Sequence, residues 1–141
     1  MNEVPLGDVD YQALAAFRTG LRRFVRFSET AARSSGLTPQ QHQLLIAIRG
    51  HVGPERPTVG DLAEALQIKH HSAVELVDRV ALRGLVERQT STADSRRVHV
   101  VVTPAAEDIL RSLTVAHRSE IRQLEAVLRQ LTAQFESDHK D

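Results

Sequence analysis

The chain has no cysteine and no tryptophan, and its only methionine is Met1. Without thiols there are no disulfides, no thiolate zinc sites and no cysteine redox switch. Without an internal methionine there is no sulfoxide switch. Aromatic residues make up 4% of the chain, so the core has to be built from Leu, Val, Ile and Ala. No run approaches the ~18 apolar residues of a membrane span. The opening MNEVPLGDVDY lacks the basic start and apolar centre of a signal peptide. These absences lead to the expectation of a cytoplasmic protein that does not engage a membrane. An excess of either charge is also missing, with 18 Lys and Arg against 18 Asp and Glu. The whole chain therefore has no general attraction for nucleic acid, and any DNA-binding charge must be local.

At 141 residues a single domain is expected over 1–141, mainly α with a small β-wing. Asp8 or Asp10 is placed to cap a first helix ending near Ser34, and Gly36 stops it. Leu14, Phe17, Leu21, Phe24 and Phe27 recur three and four apart on one face, with Arg18, Arg22, Arg23 and Arg26 largely off it. Thr38-Pro39-Gln40-Gln41 has the form of a capping box with Pro at the first helical position. The second helix carries Leu44, Leu45, Ala47 and Ile48. GHVGPERP, residues 50–57, reads as a loop.

A short helix begins at Thr58-Val59-Gly60-Asp61. After a tight connection at Gln67-Ile68, another runs from Lys69 or His70 to Arg83, with Ala73, Leu76, Val77 and Val80 inward. Two helices joined this closely form a helix-turn-helix. Leu85 to Arg88 and the alternating Val98 to Val102 read as two strands around a polar loop, which makes a wing. Thr103-Pro104 opens a long stripe through Leu110, Leu113, His117, Ile121, Leu124, Leu128, Leu131 and Phe135, with a break expected between Ala116 and Ser119. Nothing local is left for that stripe to pack on. Residues 8–36 and 104–137 are therefore expected to form a helical dimerisation layer around a winged helix-turn-helix at 38–103. Leu14, Leu113, Ile121, Leu124, Leu128, Leu131 and Phe135 are its interface candidates. The alternative is a stripe that closes a monomeric core.

Enzyme motifs are missing. There is no Gly-rich phosphate loop, no HExxH, no GxSxG and no cysteine nucleophile, so no catalysis and no cofactor are expected. His70 and His71 are adjacent, whereas metal ligands on a helix lie three or four apart.

The run TVGDLAEALQIKHHSAVELVDRVALRGLVERQTSTADSRRVHVVVTPAA resembles the multiple-antibiotic-resistance repressor (MarR) family of winged-helix regulators. The matching pieces are Leu62-Ala63, LVDRV followed by RGLVER over Leu76 to Arg88, and Asp94-x-Arg96 with Thr103 nine residues after the Asp. LTPQQHQLL at Leu37 to Leu45 also looks like the family's second helix. The resemblance covers roughly residues 10–135. It implies a two-fold dimer that binds double-stranded DNA at a pseudo-palindromic operator, usually as a repressor. In many members a small aromatic or phenolic ligand releases the DNA. This sequence departs from the family pattern at Ala106, where Gly is common, and at Val74 and Glu75 on the recognition helix, which bears on base reading rather than on fold.

On that resemblance the fourth helix lies in the major groove with its N-terminal end toward the bases. Lys69, His70, His71, Ser72, Glu75 and Arg79 are then the candidate contacts. Glu75 can accept from cytosine. Arg79 and Arg83 are equally placed to partner Asp78 and Glu75. Arg96 matches the family's wing arginine for the minor groove, Asp94 braces it, and Arg97 meets phosphate. Phe17, Leu21, Phe24, His42, Leu45 and His117 are candidates for a ligand pocket, and His42 and His117 also fit as core histidines. Some relatives bind zinc near His42 and His117, but Gln41 stands here instead of a carboxylate and Cys is absent, so no metal is expected. A winged-helix dimer that binds protein instead of DNA is the rival reading.

Overall fold

A computed structural model describes residues 5–91 and 96–137. Its elements are α1 (Asp8–Ser34), α2 (Pro39–Arg49), α3 (Val59–Leu66), α4 (His70–Leu82), β1 (Val86–Thr90), β2 (Val98–Val102) and α5 (Pro104–Ser137). The described residues form two compact units, Ala32–Thr114 and a largely helical one of residues 5–31 with 115–137. The divisions fall inside α1 and α5, not at the expected 36 and 104. The last turn of α1 and the first three turns of α5 pack with the winged helix, burying Ala32, Ala106, Leu110 and Leu113.

Helix ends follow from local chemistry. The Thr38 hydroxyl accepts from the Gln41 N–H, and the Gln41 side chain accepts from the Thr38 N–H. Thr58 and Asp61 repeat this reciprocal box at α3. Each box satisfies two amides that the helix itself cannot. At α1 the expected cap differs: Asp10 sits inside the first turn and its carboxylate reaches back to the Gly7 N–H at 2.8 Å.

Three helices end alike. Leu37 N–H bonds Ala32 O (2.9 Å), Ile68 N–H bonds Ala63 O (3.0 Å) and Leu85 N–H bonds Val80 O (3.2 Å), each across a left-handed residue. Glycine supplies that conformation at Gly36 and Gly84, but at the α3–α4 turn the residue is Gln67, at φ 56°.

In the winged-helix unit, β1 and β2 pair antiparallel from Val86↔Val102 to Thr90↔Val98. The other edge of β2 is also occupied: Val100 N–H bonds Pro57 O at 2.8 Å and Thr58 bridges His99. β2 is therefore an inner strand. His99, Val100 and Val101 are all buried, and the simple alternation expected there does not hold. Leu44, Leu45, Leu62, Val77, Val80 and Val100 are fully buried, each worth about 1.5–3 kcal/mol. Thr103 ties wing to helices. Its hydroxyl donates to Gly84 O at 2.8 Å and accepts from the Ala106 N–H at 3.3 Å, capping α5.

In the helical unit α1 and α5 run side by side. Gln134 Nε2 donates to Asp10 Oδ1 at 3.1 Å. A Cβ on Gly20 would meet Val127 Cγ2 at 2.8 Å, so the Val127 side chain packs into the space that the missing side chain leaves. Buried His117 meets Phe24 and Phe27 edge-on, at centroid distances of 5.8 and 5.2 Å. The expected break near Ala116–Ser119 is absent, and α5 is continuous. Residues 105–137 hold neither Gly nor Pro, so nothing local interrupts the helical ladder.

Candidate nucleic-acid interface

α4 buries Ala73, Leu76, Val77 and Val80. That inner stripe fixes the outward face. Lys69, His70, His71, Glu75 and Arg79 are exposed and Ser72 is half-buried. His71, Glu75 and Arg79 follow at steps of four, so they share one face. Lys69 is the N-cap and makes no side-chain cap bond, leaving the first amides of α4 without a side-chain acceptor from that residue.

The suggested partnerships of Arg79 and Arg83 with Asp78 and Glu75 do not form. Asp78 pairs with Arg88 on β1, and Arg83 donates to Gln41 Oε1 at 3.0 Å. Both arginines fix architecture: one holds the wing's first strand to α4, the other holds α4 to the start of α2.

At the wing, Arg96 and Arg97 are exposed. Asp94 lies outside the described residues. The Ser91 N–H bonds Arg97 O at 2.9 Å, closing the hairpin above β1 and β2. Arg97, expected to meet phosphate, donates from Nη1 to Glu55 Oε2 at 2.9 Å. Glu55 comes from the α2–α3 loop. His99 Nδ1 is 2.6 Å from the Arg56 carbonyl, so Nδ1–H donates and its Nε2 lies 3.9 Å from Glu55 Oε2.

Sequence reasoning missed both Glu55 and His99. The loop carried only its Gly and Pro signature, and His99 stood as one more strand residue. Beside this loop a cleft of about 640 Å³ runs between Ile48, Arg49, Arg56, Val100, Pro104 and Glu107. Arg49 Nε donates to Glu107 at 2.6 Å across it, and the carboxylate holds Arg49 still more firmly in its charged form.

The ligand-pocket candidates divide between the units. Phe17, Leu21 and Phe24 are half-buried on α1, in the unit of His117, and Leu21 also lines an open groove of about 340 Å³ with Arg22, Val25, Arg26 and Glu29. His42 and Leu45 are buried on α2 in the other unit. Among the interface candidates, Leu14, Ile121, Leu128 and Phe135 are exposed and Leu124 is half-buried. Leu113 and Leu131 are already buried within the chain, so they pack its own interior instead of offering a surface. Among the described residues no cluster of three or more His, Asp or Glu is placed to hold a metal ion. No helix among them is long and apolar enough to cross a membrane.

Residues 35–97 match the model of the MarR family. A transcriptional regulatory protein for the hcr operon of Thauera aromatica is 28% identical over 70% of this chain. The match spans 58% of that relative's length, less than two thirds of it. A solved MarR family transcription regulator designated SP03579 is similar at 26% identity and TM-score 0.69, over 90% of this chain and 83% of that one. A mutant MepR of S. aureus bound to an oligodeoxyribonucleotide shares the fold at TM-score 0.68 and 19% identity, over 89% and 97% of the two chains.

Proposed function

We infer that this chain, which belongs to the MarR family, is a sequence-specific DNA-binding transcriptional regulator, a repressor that acts as a homodimer. The observation that carries the reading is the α3–α4 pair. The apolar stripe of α4 is fully used inside, and a polar face with Lys69, His70, His71, Glu75 and Arg79 is left outside. That face sits in the major groove, while Arg96 at the wing enters the minor groove. The role is one of binding, with no chemical step.

Dimerisation uses the exposed apolar side chains Leu14, Ile121, Leu128 and Phe135. It sets two half-sites about one helical turn apart in a pseudo-palindrome. A small aromatic or phenolic ligand releases the DNA. Phe24 and Phe27, edge-on to His117, supply the kind of aromatic wall such a ligand stacks on.

The test is fluorescence anisotropy against the DNA upstream of the gene, at two salt concentrations, with an unrelated duplex as control. Tighter, salt-sensitive binding to the upstream DNA is expected. Arg96→Ala should weaken binding to every sequence and lower the salt slope. Equal, weak binding to both duplexes would favour the protein-binding reading.

A further inference from the structure

Arg97 does not project freely from the wing. Its guanidinium is ion-paired with Glu55, 42 residues earlier, at 2.9 Å. Asp61 lies close enough for Arg97 to help lower its pKa, after the larger effect of the Thr58 N–H. The pair sits in a cleft of about 200 Å³ that Asp61 and His99 also line. Arg97 thus has two carboxylates beside it, Glu55 and Asp61, in a cleft that Arg56 and His51 also line.

The carboxylate is presented by a stiff loop. Pro54 and Pro57 flank Glu55 and Arg56 and fix two φ angles. The Arg56 carbonyl is held by His99 at 2.6 Å and the Pro57 carbonyl by the Val100 N–H at 2.8 Å. Glu55 is therefore fixed to the same inner strand that leads from Arg97, and the two ends of the ion pair move together.

A carboxylate on a guanidinium occupies the place a phosphate would take. We propose that Glu55 is an internal phosphate surrogate that withholds Arg97 from DNA and sets the wing's affinity. The proposal rests on the DNA-binding reading above. While Glu55 holds Arg97, the guanidinium neutralises no phosphate and releases no counterion. Removing the charge of Glu55 frees one cation for the DNA. Because the pair is exposed, the effect is moderate, roughly two- to fivefold in affinity, with the salt slope steeper by about one.

Glu55→Gln, Arg97→Ala and the double variant are to be compared with the parent protein by two readouts. On a heparin column, a polyanion without sequence, Glu55→Gln should elute at higher salt than the parent, and the double variant should elute with Arg97→Ala. On the upstream duplex, Glu55→Gln should bind roughly two- to fivefold tighter with the steeper slope. Elution of Glu55→Gln at or before the parent would overturn the proposal, because the carboxylate would then be positioning Arg97 for the polyanion. So would a gain that persists without Arg97. A heparin shift without preference for the upstream duplex would keep the surrogate and overturn the regulator.

Discussion

Gln41 Oε1 accepts two hydrogen bonds, from the Thr38 backbone N–H at 3.2 Å and from Arg83 Nη1 at 3.0 Å. One amide oxygen therefore closes the α2 capping box and ties α2 to the C-terminal cap of α4. Gln41→Ala removes both bonds and should cost about 1–2 kcal/mol. Gln41→Glu keeps the geometry, makes the Arg83 bond charge-assisted and places a negative charge in the first turn of α2. It should gain about 0.5–1 kcal/mol. Urea melts with a common m-value check both. Equal stability of the two variants would show that the Arg83 link carries no energy.

Gln67 holds the left-handed position of the helix-turn-helix, at φ 56° and ψ 43°. A side chain there costs roughly 1–2 kcal/mol, while glycine adds unfolded-state entropy of roughly 0.5–1 kcal/mol. Gln67→Gly should therefore stabilise the chain by about 0.5–1 kcal/mol, read as a higher Tm in calorimetry. Gln67→Val should do the opposite, because a β-branched side chain is worse still in this region.

The helix-turn-helix was legible because its signals are local. A capping box at Thr38, a helix start at Thr58, a glycine after α4 and a three-four apolar stripe each speak within a few residues. What stayed hidden depends on distant partners. Nothing near Arg97 in the chain names Glu55, and nothing near Arg83 names Gln41. Both links span more than 40 residues and exist because β2 and α4 return to the start of the winged helix. The extra edge of β2 was invisible for the same reason: residues 57–58 pair in isolation, too briefly to show a strand period. At α5 the error was the reverse. A break is expected between Ala116 and Ser119, but without Gly or Pro the helix continues.

The α3 cap makes stability depend on acid. The Asp61 carboxylate is held below the usual carboxylate range, first by the Thr58 backbone N–H. A lowered folded pKa means the stabilisation is fully present above the unfolded value, about 3.9. It is lost as pH falls through the folded value. Asp61→Asn keeps an acceptor without the charge, so at neutral pH it should be less stable than the parent protein. That gap should narrow progressively as pH falls below about 4. Chemical melts of both proteins from pH 7 to pH 3 measure it. A gap independent of pH would mean that the charge contributes nothing to the cap.

Dimerisation can be tested on α5 without touching the winged helix. Ile121 and Leu128 are 49% and 43% exposed in the single chain and lie two turns apart on one face. Neither is needed for the contacts at Gly20, Asp10 or His117 that join α1 to α5. A charge at either position should leave the fold of one chain intact while placing an unpaired charge in an apolar interface. Sedimentation of the parent protein should give a dimer. Ile121→Glu should shift it toward monomer by at least about 2–3 kcal/mol of association energy, with unchanged helical content by circular dichroism. Because each half-site contributes only part of the affinity, the same variant should lose operator binding far more than binding to heparin. A variant that stayed dimeric would move the interface off this face of α5, to a surface that includes Leu14 or Phe135 without Ile121.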